Sequence, residues 1–179
     1  MVKIELPENR RLQVGPTGNV VLVTCGEGEE ANIIAVGMYM PISVRPPLVC
    51  IGIAPQRYSH QLIEKTGEFV VNSPSITIEK EMHYCGVNSA RRVNKWEETG
   101  LTAIPSLKVK TPRIKECFGH LECKVVNSYT AGDHTLYIGE VVATSADEEV
   151  MNGDVLDPMK AKPIVQKNHV YFTVTDERP

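Results

Sequence analysis

Cysteine, histidine and acidic side chains are where chemistry is sought first, and here their spacing argues against most of it. Cys117, His120 and Cys123 form a Cys-x-x-His-x-x-Cys run with the residue types of a metal site. On a strand, however, side chains alternate, so 117 and 123 face one way and 120 the other. Three groups so arranged cannot converge on one ion; structural thiols are expected, and no metal. Cys85, in His83-Tyr84-Cys85-Gly86, admits two readings. It is a reactive thiol tuned by a helix end, or a small buried residue at a helix-to-loop corner. No second cysteine stands at Cys-x-x-Cys spacing. The acidic pairs Glu29-Glu30, Glu97-Glu98 and Glu148-Glu149 fall in turns or on helix surfaces, where solvation explains them. Gly-x-Gly-x-x-Gly, Gly-x-x-x-x-Gly-Lys-[Ser/Thr] and Gly-x-Ser-x-Gly are absent, which removes the Rossmann, P-loop and serine-hydrolase readings.

One group of residues survives. Ser43 precedes Arg45-Pro46-Pro47, where the prolines favour an extended backbone and supply no amide. Arg57, Tyr58 and Ser59 open a segment of helical pattern. Free amides and the positive dipole end at a helix start favour an anion, which an arginine can grip through two hydrogen bonds. A phosphate cradle is one reading; plain capping and salt bridging is the other.

The elements that must position these residues are mostly strands. Asn19 to Cys25 is β-branched and follows the Gly15-Pro16-Thr17-Gly18 turn cluster. Gly26 to Glu30 reads as a hairpin turn and Ala31 to Val36 as the returning strand. Leu48 to Ala54 is an apolar run of buried-strand length. Ser59 to Gly67 is helical, with Ser59 as N-cap and Gly67 as C-terminal stop. A strand over 68–72 and short helices over 76–84 and 91–98 follow. Residues 116–126 alternate as a half-buried strand, with Cys117, Leu121, Cys123 and Val125 on one face and His120, Glu122 and Lys124 on the other. A turn at 129–134 leads to a strand over 135–144, and a last strand covers 169–174. Six or more strands with few short helices predict a mainly β protein, a closed, Greek-key-like barrel with helical insertions, because closure removes exposed edges.

Composition sets the outer limits. The 179 residues suit one domain over 1–179, and 42% hydrophobic with 23% charged residues is globular usage. A net charge of −3 without a basic stripe argues against nucleic acid as a partner. No run reaches membrane-spanning length, and the N-terminal stretch lacks the apolar core of a signal peptide. A cytoplasmic protein with five reduced thiols is expected.

Four segments in series, over about residues 15–175, resemble the flavin reductase-like proteins with an FMN-binding split barrel. They are "ANIIAVGMYMPISVRPPLVCIGI", "RYSHQLIEKTGEFVVNSP", "YCGVNSARRVNKWEETGLT" and "AGDHTLYIGEVV". Flavoredoxins and archaeal ferric reductase-type flavoproteins are the members they are most similar to. The resemblance implies an FMN-binding homodimer. Asn32 and the backbone of Val36, Gly37, Met38, Tyr39 and Met40 would line the isoalloxazine, where amides tune the ring. Ser43, Arg57, Tyr58 and Ser59 would hold the phosphate. Asn72, Cys85, Ser89 and Arg91 would stand at the pocket rim or come from the partner chain. His134 would be the catalytic residue, beside a nicotinamide or acceptor. The chain departs from the pattern at Ala35 and Gly37, where most members carry Thr and Ser; reliance on backbone contacts follows. The implied activity passes electrons from NADH or NADPH through FMN to free flavin, ferric iron or a protein acceptor. A flavoredoxin-type carrier without its own NAD(P)H oxidation, and a flavin-free β-barrel binding module, are the other readings.

Overall fold

The computed structural model describes residues 3–176; positions 1–2 and 177–179, the extreme ends of the expected domain, lie outside the described residues. A 3-10 turn over Glu8–Val14 leads to β1 (Gly18–Asn19), β2 (Val21–Cys25), β3 (Asn32–Val36), β4 (Tyr39–Val44), β5 (Pro47–Ile53), α1 (Tyr58–Thr66) and β6 (Glu68–Ser73). Then come α2 (Glu79–Val87), α3 (Lys95–Thr99), the two-residue strands β7 (Ala103–Ile104) and β8 (Arg113–Ile114), and the long pair β9 (Gly119–Ala131) and β10 (His134–Ala146). The chain closes with β11 (Met151–Asn152), β12 (Val155–Leu156), α4 (Pro158–Ala161), β13 (Val165–Lys167) and β14 (Val170–Phe172). The protein is mainly β with few short helices, as the patterning predicts. No described helix is long and apolar enough to cross a membrane.

Seven strands form one antiparallel sheet in the order β3-β2-β6-β9-β10-β5-β4. Its outermost strands, β3 and β4, are consecutive in the chain with only Gly37 and Met38 between them. Two residues span at most about 10 Å, so the sheet must curl until its edges meet there. No β3–β4 ladder exists among the described residues. The barrel expected from strand count is therefore not closed by backbone pairing; a seam remains. The inner face of the curl carries the core of Val23, Ile51, Ile63, Phe69, Val71 and Tyr137. A second cluster, with Leu22, Ile33, Met82, Cys85 and Ile164, packs α2 and the C-terminal segment against the outer face of β2 and β3.

Some bounds shift, β9 running on to Ala131 and α3 starting only at Lys95, and three further local expectations change. Residues 38–44, read only as a lead into the next strand, are themselves β4, and Val44 pairs with Pro47. Arg45 and Pro46 thus form a two-residue hairpin turn instead of an extended run. The helix begins at Tyr58, so the N-cap position falls to Arg57, with no side-chain cap bond. Gly67 does end it, in the left-handed region at φ 65°. Third, His120 and Glu122 are buried, not solvent-facing, because residues 105–114 lie across that face of β9. The Glu122 carboxylate accepts from the amides of Leu107 (2.7 Å) and Lys108 (2.6 Å). His120 Nε2 donates to the Ile114 carbonyl at 2.8 Å, leaving Nδ1 to accept from the Ser145 hydroxyl at 3.1 Å. Burial pushes the His120 pKa below its usual value.

Candidate functional site

The seam opens into a cleft of about 670 Å³. β3 supplies Ile34, Ala35 and Val36, the join supplies Gly37 and Met38, and β5 supplies Gly52 and Ile53. Small residues belong here: a Cβ on Gly52 would stand 3.0 Å from Met38 Cβ, and one on Gly37 3.0 Å from the Gln166 amide nitrogen. His134 closes one side, at the turn between β9 and β10. Its Nδ1 donates to the Asp133 carboxylate at 2.7 Å, which leaves Nε2 as the acceptor when the ring is neutral. That bond holds the Asp133 carboxyl below the usual range.

The opposite wall was not foreseen. It is the β13–β14 hairpin, whose Gln166, Lys167, Asn168 and His169 line the cleft. Asn168 (φ 51°) and His169 (φ 63°) are both left-handed, which matches the twist of a tight two-residue turn. Lys167 Nζ clasps the N-terminal segment to this wall by donating to the carbonyls of Gly15 (2.5 Å), Leu12 and Pro16 (3.4 Å each). No local periodicity announces a contact between residue 167 and residues 12–16, so sequence reading had no signal for it.

At Arg57 and Ile34 the cleft runs into a narrower pocket of about 70 Å³, lined also by Asn32, Tyr58, Ser59, Cys85, Ser89 and Lys95. Neither space has an acidic residue in its lining. Arg57 is exposed, with no hydrogen bond or ion pair from its side chain to the described residues. The first-turn amides of Tyr58 and Ser59 likewise have no partner among the described residues, as helix starts require. Lys95 is only 4% exposed; its ammonium donates to the carbonyls of Ile33 (2.6 Å) and Cys85 (2.7 Å) and meets no carboxylate. Burial above all, with the Arg57 charge adding to it, lowers the Lys95 pKa. An anion in this pocket would relieve both cations. Asn32 completes it. Its Nδ2 donates to Ser59 Oγ at 2.8 Å, while its buried Oδ1 has no partner among the described residues. An orphaned acceptor next to two cations fits a ligand bearing hydroxyls and a phosphate, which is what the ribityl phosphate of FMN offers.

The structure therefore gathers Asn32, Val36, Gly37, Met38, Arg57, Tyr58, Ser59, Cys85, Ser89 and His134 around one connected space. It does not bring the others there. Tyr39 packs against the core and Met40 is exposed on β4. Ser43 sits near the far end of β4, opposite Leu48. Asn72 is fully buried and spends its amide on the Leu22 and Val70 carbonyls and its oxygen on the Ile114 amide, an internal brace. Arg91 stacks 5.2 Å over the Tyr58 ring and donates to Gln61, so it steadies the pocket from outside. Burial holds the Cys85 thiol up at about 11, so it contributes packing and not a thiolate. Among the described residues no three His, Cys, Asp or Glu side chains group to hold a metal. Lys95 was missed because a lysine in "RRVNKWEE" reads as one more solvated charge.

The fold is that of a known class. Residues 16–174 match the family described as "Flavin reductase like domain". The chain belongs to that family. It is 39% identical over 132 residues to an uncharacterized protein of Pyrococcus abyssi, covering 74% of this chain and 76% of that one. It is 25% identical over 167 residues to the NADH-dependent FMN reductase AsuE2 of Streptomyces nodosus subsp. asukaensis, covering 93% and 83%. The flavoredoxin structure from Methanosarcina acetivorans superposes with a TM-score of 0.89 at 27% identity, over 100% of this chain and 95% of that one.

Proposed function

We propose that this chain is a single-domain flavoprotein oxidoreductase that binds FMN in the seam and passes electrons from NADH or NADPH to free flavin, ferric iron or a protein acceptor. One observation carries the reading: an open cleft continuous with a narrower pocket lined by two cations, an orphaned acceptor and no acid. Arg57, Lys95 and the amides of Tyr58 and Ser59 would hold the phosphate. Asn32 Oδ1 would accept from a ribityl hydroxyl, and the walls from Ile34 to Met38 and Gly52 to Ala54 would enclose the flat ring. The bound flavin supplies the redox chemistry, taking an electron pair from reduced nicotinamide. His134, oriented by Asp133, would position the nicotinamide or acceptor at the open side of the cleft. The hairpin wall and the clasped N-terminal segment limit the access of water. The curled sheet would then act as a barrel whose gap the cofactor fills.

A second copy of the chain is the partner we infer. Met40, Ile42 and Val44 on β4, with Val126 and Tyr129 on the outer half of β9, are large apolar side chains left exposed, 55% for Met40 and 85% for Val44. A homodimer would cover them, and a monomer at micromolar concentration in sizing experiments would count against it.

The absorbance spectrum of the purified, FMN-reconstituted protein tests the cofactor. Flavin bands that co-elute with the protein support the reading, and a colourless chain that takes up no FMN sinks it. The Methanosarcina flavoredoxin likeness favours a second reading, an electron carrier without its own NAD(P)H oxidation. Rapid-mixing reduction by NADH and by NADPH separates the two, because the carrier would stay oxidised with both.

A further inference from the structure

Gly37 is a glycine for a reason its own backbone does not supply. It is not among the residues with positive φ, so an alanine there would meet no conformational penalty and would spare the entropy a glycine costs. What a Cβ would meet is Gln166 Nε2, at 3.0 Å. Gln166 is the middle residue of β13 and pairs on both sides, with Gly18 of β1 and with Tyr171 of β14. Its backbone is therefore fixed while its head lies over the join. The carboxamide is half-buried and makes no hydrogen bond with the described residues. From Ile34 to Met38 the facing wall has no side chain with an oxygen or nitrogen.

We propose that Gln166 reads the polar edge of the flavin ring through its carboxamide, and that the missing side chain at Gly37 seats it there. The proposal rests on the flavin reading of the cleft and assigns to that site a side chain from the far wall. The pyrimidine edge of an isoalloxazine alternates carbonyl, N–H and carbonyl. A carboxamide presents an acceptor oxygen and a donor nitrogen in one plane, so it can pair with two neighbouring groups of that edge at once. With neither end bonded, the Gln166 amide has that capacity unspent. An added electron pair places negative charge on the same edge, and a donor aimed there favours the reduced flavin. The head also has room to move. Ala35, Gly37 and Gln166 line both the cleft and an adjoining pocket of about 180 Å³, lined also by Met82 and Val87 of α2. A Cβ at position 37 would push the amide toward that pocket without unfolding the seam.

The test is titration of the flavin-free protein with FMN and with riboflavin, together with the midpoint potential of the bound flavin. Wild type is compared with Gln166→Ala, Gln166→Glu, Gly37→Ala and the Gly37→Ala, Gln166→Ala double variant. Gln166→Ala should weaken both flavins about tenfold, the order expected for two lost neutral hydrogen bonds. The ratio of the two affinities should not change, because the phosphate lies elsewhere, and the potential should fall. Gln166→Glu keeps the length of the side chain and should lower the potential further, since a carboxylate replaces the donor. Gly37→Ala should move affinity and potential in the same direction by a smaller amount. It should add nothing to Gln166→Ala, whose head is already gone. Unchanged potentials and affinities within about twofold in both Gln166 variants would overturn the inference and leave the flavin reading standing. So would a loss confined to FMN, which would assign Gln166 to the phosphate. A Gly37→Ala effect that persists in full beside Gln166→Ala would overturn it too, by putting the ring itself against Gly37. Binding of neither flavin by wild type would overturn the flavin reading and this inference with it.

Discussion

Lys95 offers the sharpest perturbation, because its two roles can be measured apart. Lys95→Met keeps the length and apolar stem of the side chain but removes the charge and three donors. The carbonyls of Ile33 and Cys85, now 2.6 and 2.7 Å from the ammonium, lose that partner. Each such bond to a charged donor is worth about 1.5–3 kcal/mol, but the variant also escapes the cost of burying an ammonium. A net loss of about 2 kcal/mol of stability is expected, visible as a lower thermal midpoint by circular dichroism. The ligand effect is separate. Charges about 5 Å apart at an effective dielectric near 20 interact by about 3 kcal/mol, so losing one cation from the cradle should weaken phosphate binding on the order of 100-fold. Riboflavin, which lacks the phosphate, should bind wild type and variant alike. The quantity to follow by flavin fluorescence titration is therefore the ratio of FMN to riboflavin affinity. It should collapse in Lys95→Met, and also in Arg57→Ala, where an exposed and unpartnered side chain predicts little loss of stability. A folded Lys95→Met protein that keeps the wild-type ratio would refute the cradle and leave Lys95 as a brace between β3 and α2.

Other outcomes follow from single features. His134→Ala should slow turnover about tenfold while FMN affinity stays within about twofold, because His134 lines the open side of the cleft and not the cradle; complete loss of bound flavin would mean the residue is misplaced. Gly139→Ala should cost about 3 kcal/mol, since its new Cβ would stand 2.5 Å from Phe69 Cζ and 2.9 Å from Cys123 Cβ in the sealed core. Adding Phe69→Leu should return part of that loss in urea melts, and a double variant no better than the single would show that the ring is not the obstacle. His120 is neutral and its folded pKa is depressed, so the unfolded chain takes up a proton near the ordinary 6.5 that the folded chain refuses. Stability should fall as pH drops below about 6.5, by up to about 1.4 kcal/mol per unit, and level off above it. His120→Gln should flatten that slope, and an unchanged slope would assign it to another group.

The strands were legible wherever local pattern decides the outcome. The β-branched run before Cys25, the apolar stretch after Leu48 and the 68–72 segment are strands because their own residues favour it, and Gly67 stops α1 for a reason internal to the tetrapeptide around it. Legibility ended where distant segments meet. His120 and Glu122 alternate as surface residues should, and only the chain at 105–114, folded across them, turns that face inward. Lys95 and Lys167 look like solvated charges until the carbonyls they bind arrive from 62 residues away at Ile33 and about 150 away at Gly15. The Arg57-Tyr58-Ser59 group was readable because a helix start imposes its chemistry locally. Ser43 was carried along by sequence proximity, yet β4 runs away from the cleft.

The two-residue join at Gly37 and Met38 has an evolutionary consequence. Unpaired sheet edges normally invite aggregation and are defended by charge or bulges. Here β3, the join and β5 line a ligand-sized cleft opposite the β13–β14 hairpin, and the groups on that wall that would contact the ring are peptide amides and carbonyls. Peptide groups are the same whatever side chain the codon specifies. Recognition written in the main chain is nearly silent to substitution, provided residues stay small enough to leave the gap open. Ala35 and Gly37, which line the cleft without a hydroxyl, meet that requirement. It also predicts a skewed mutational landscape along 34–38: bulk is penalised, while polarity drifts freely.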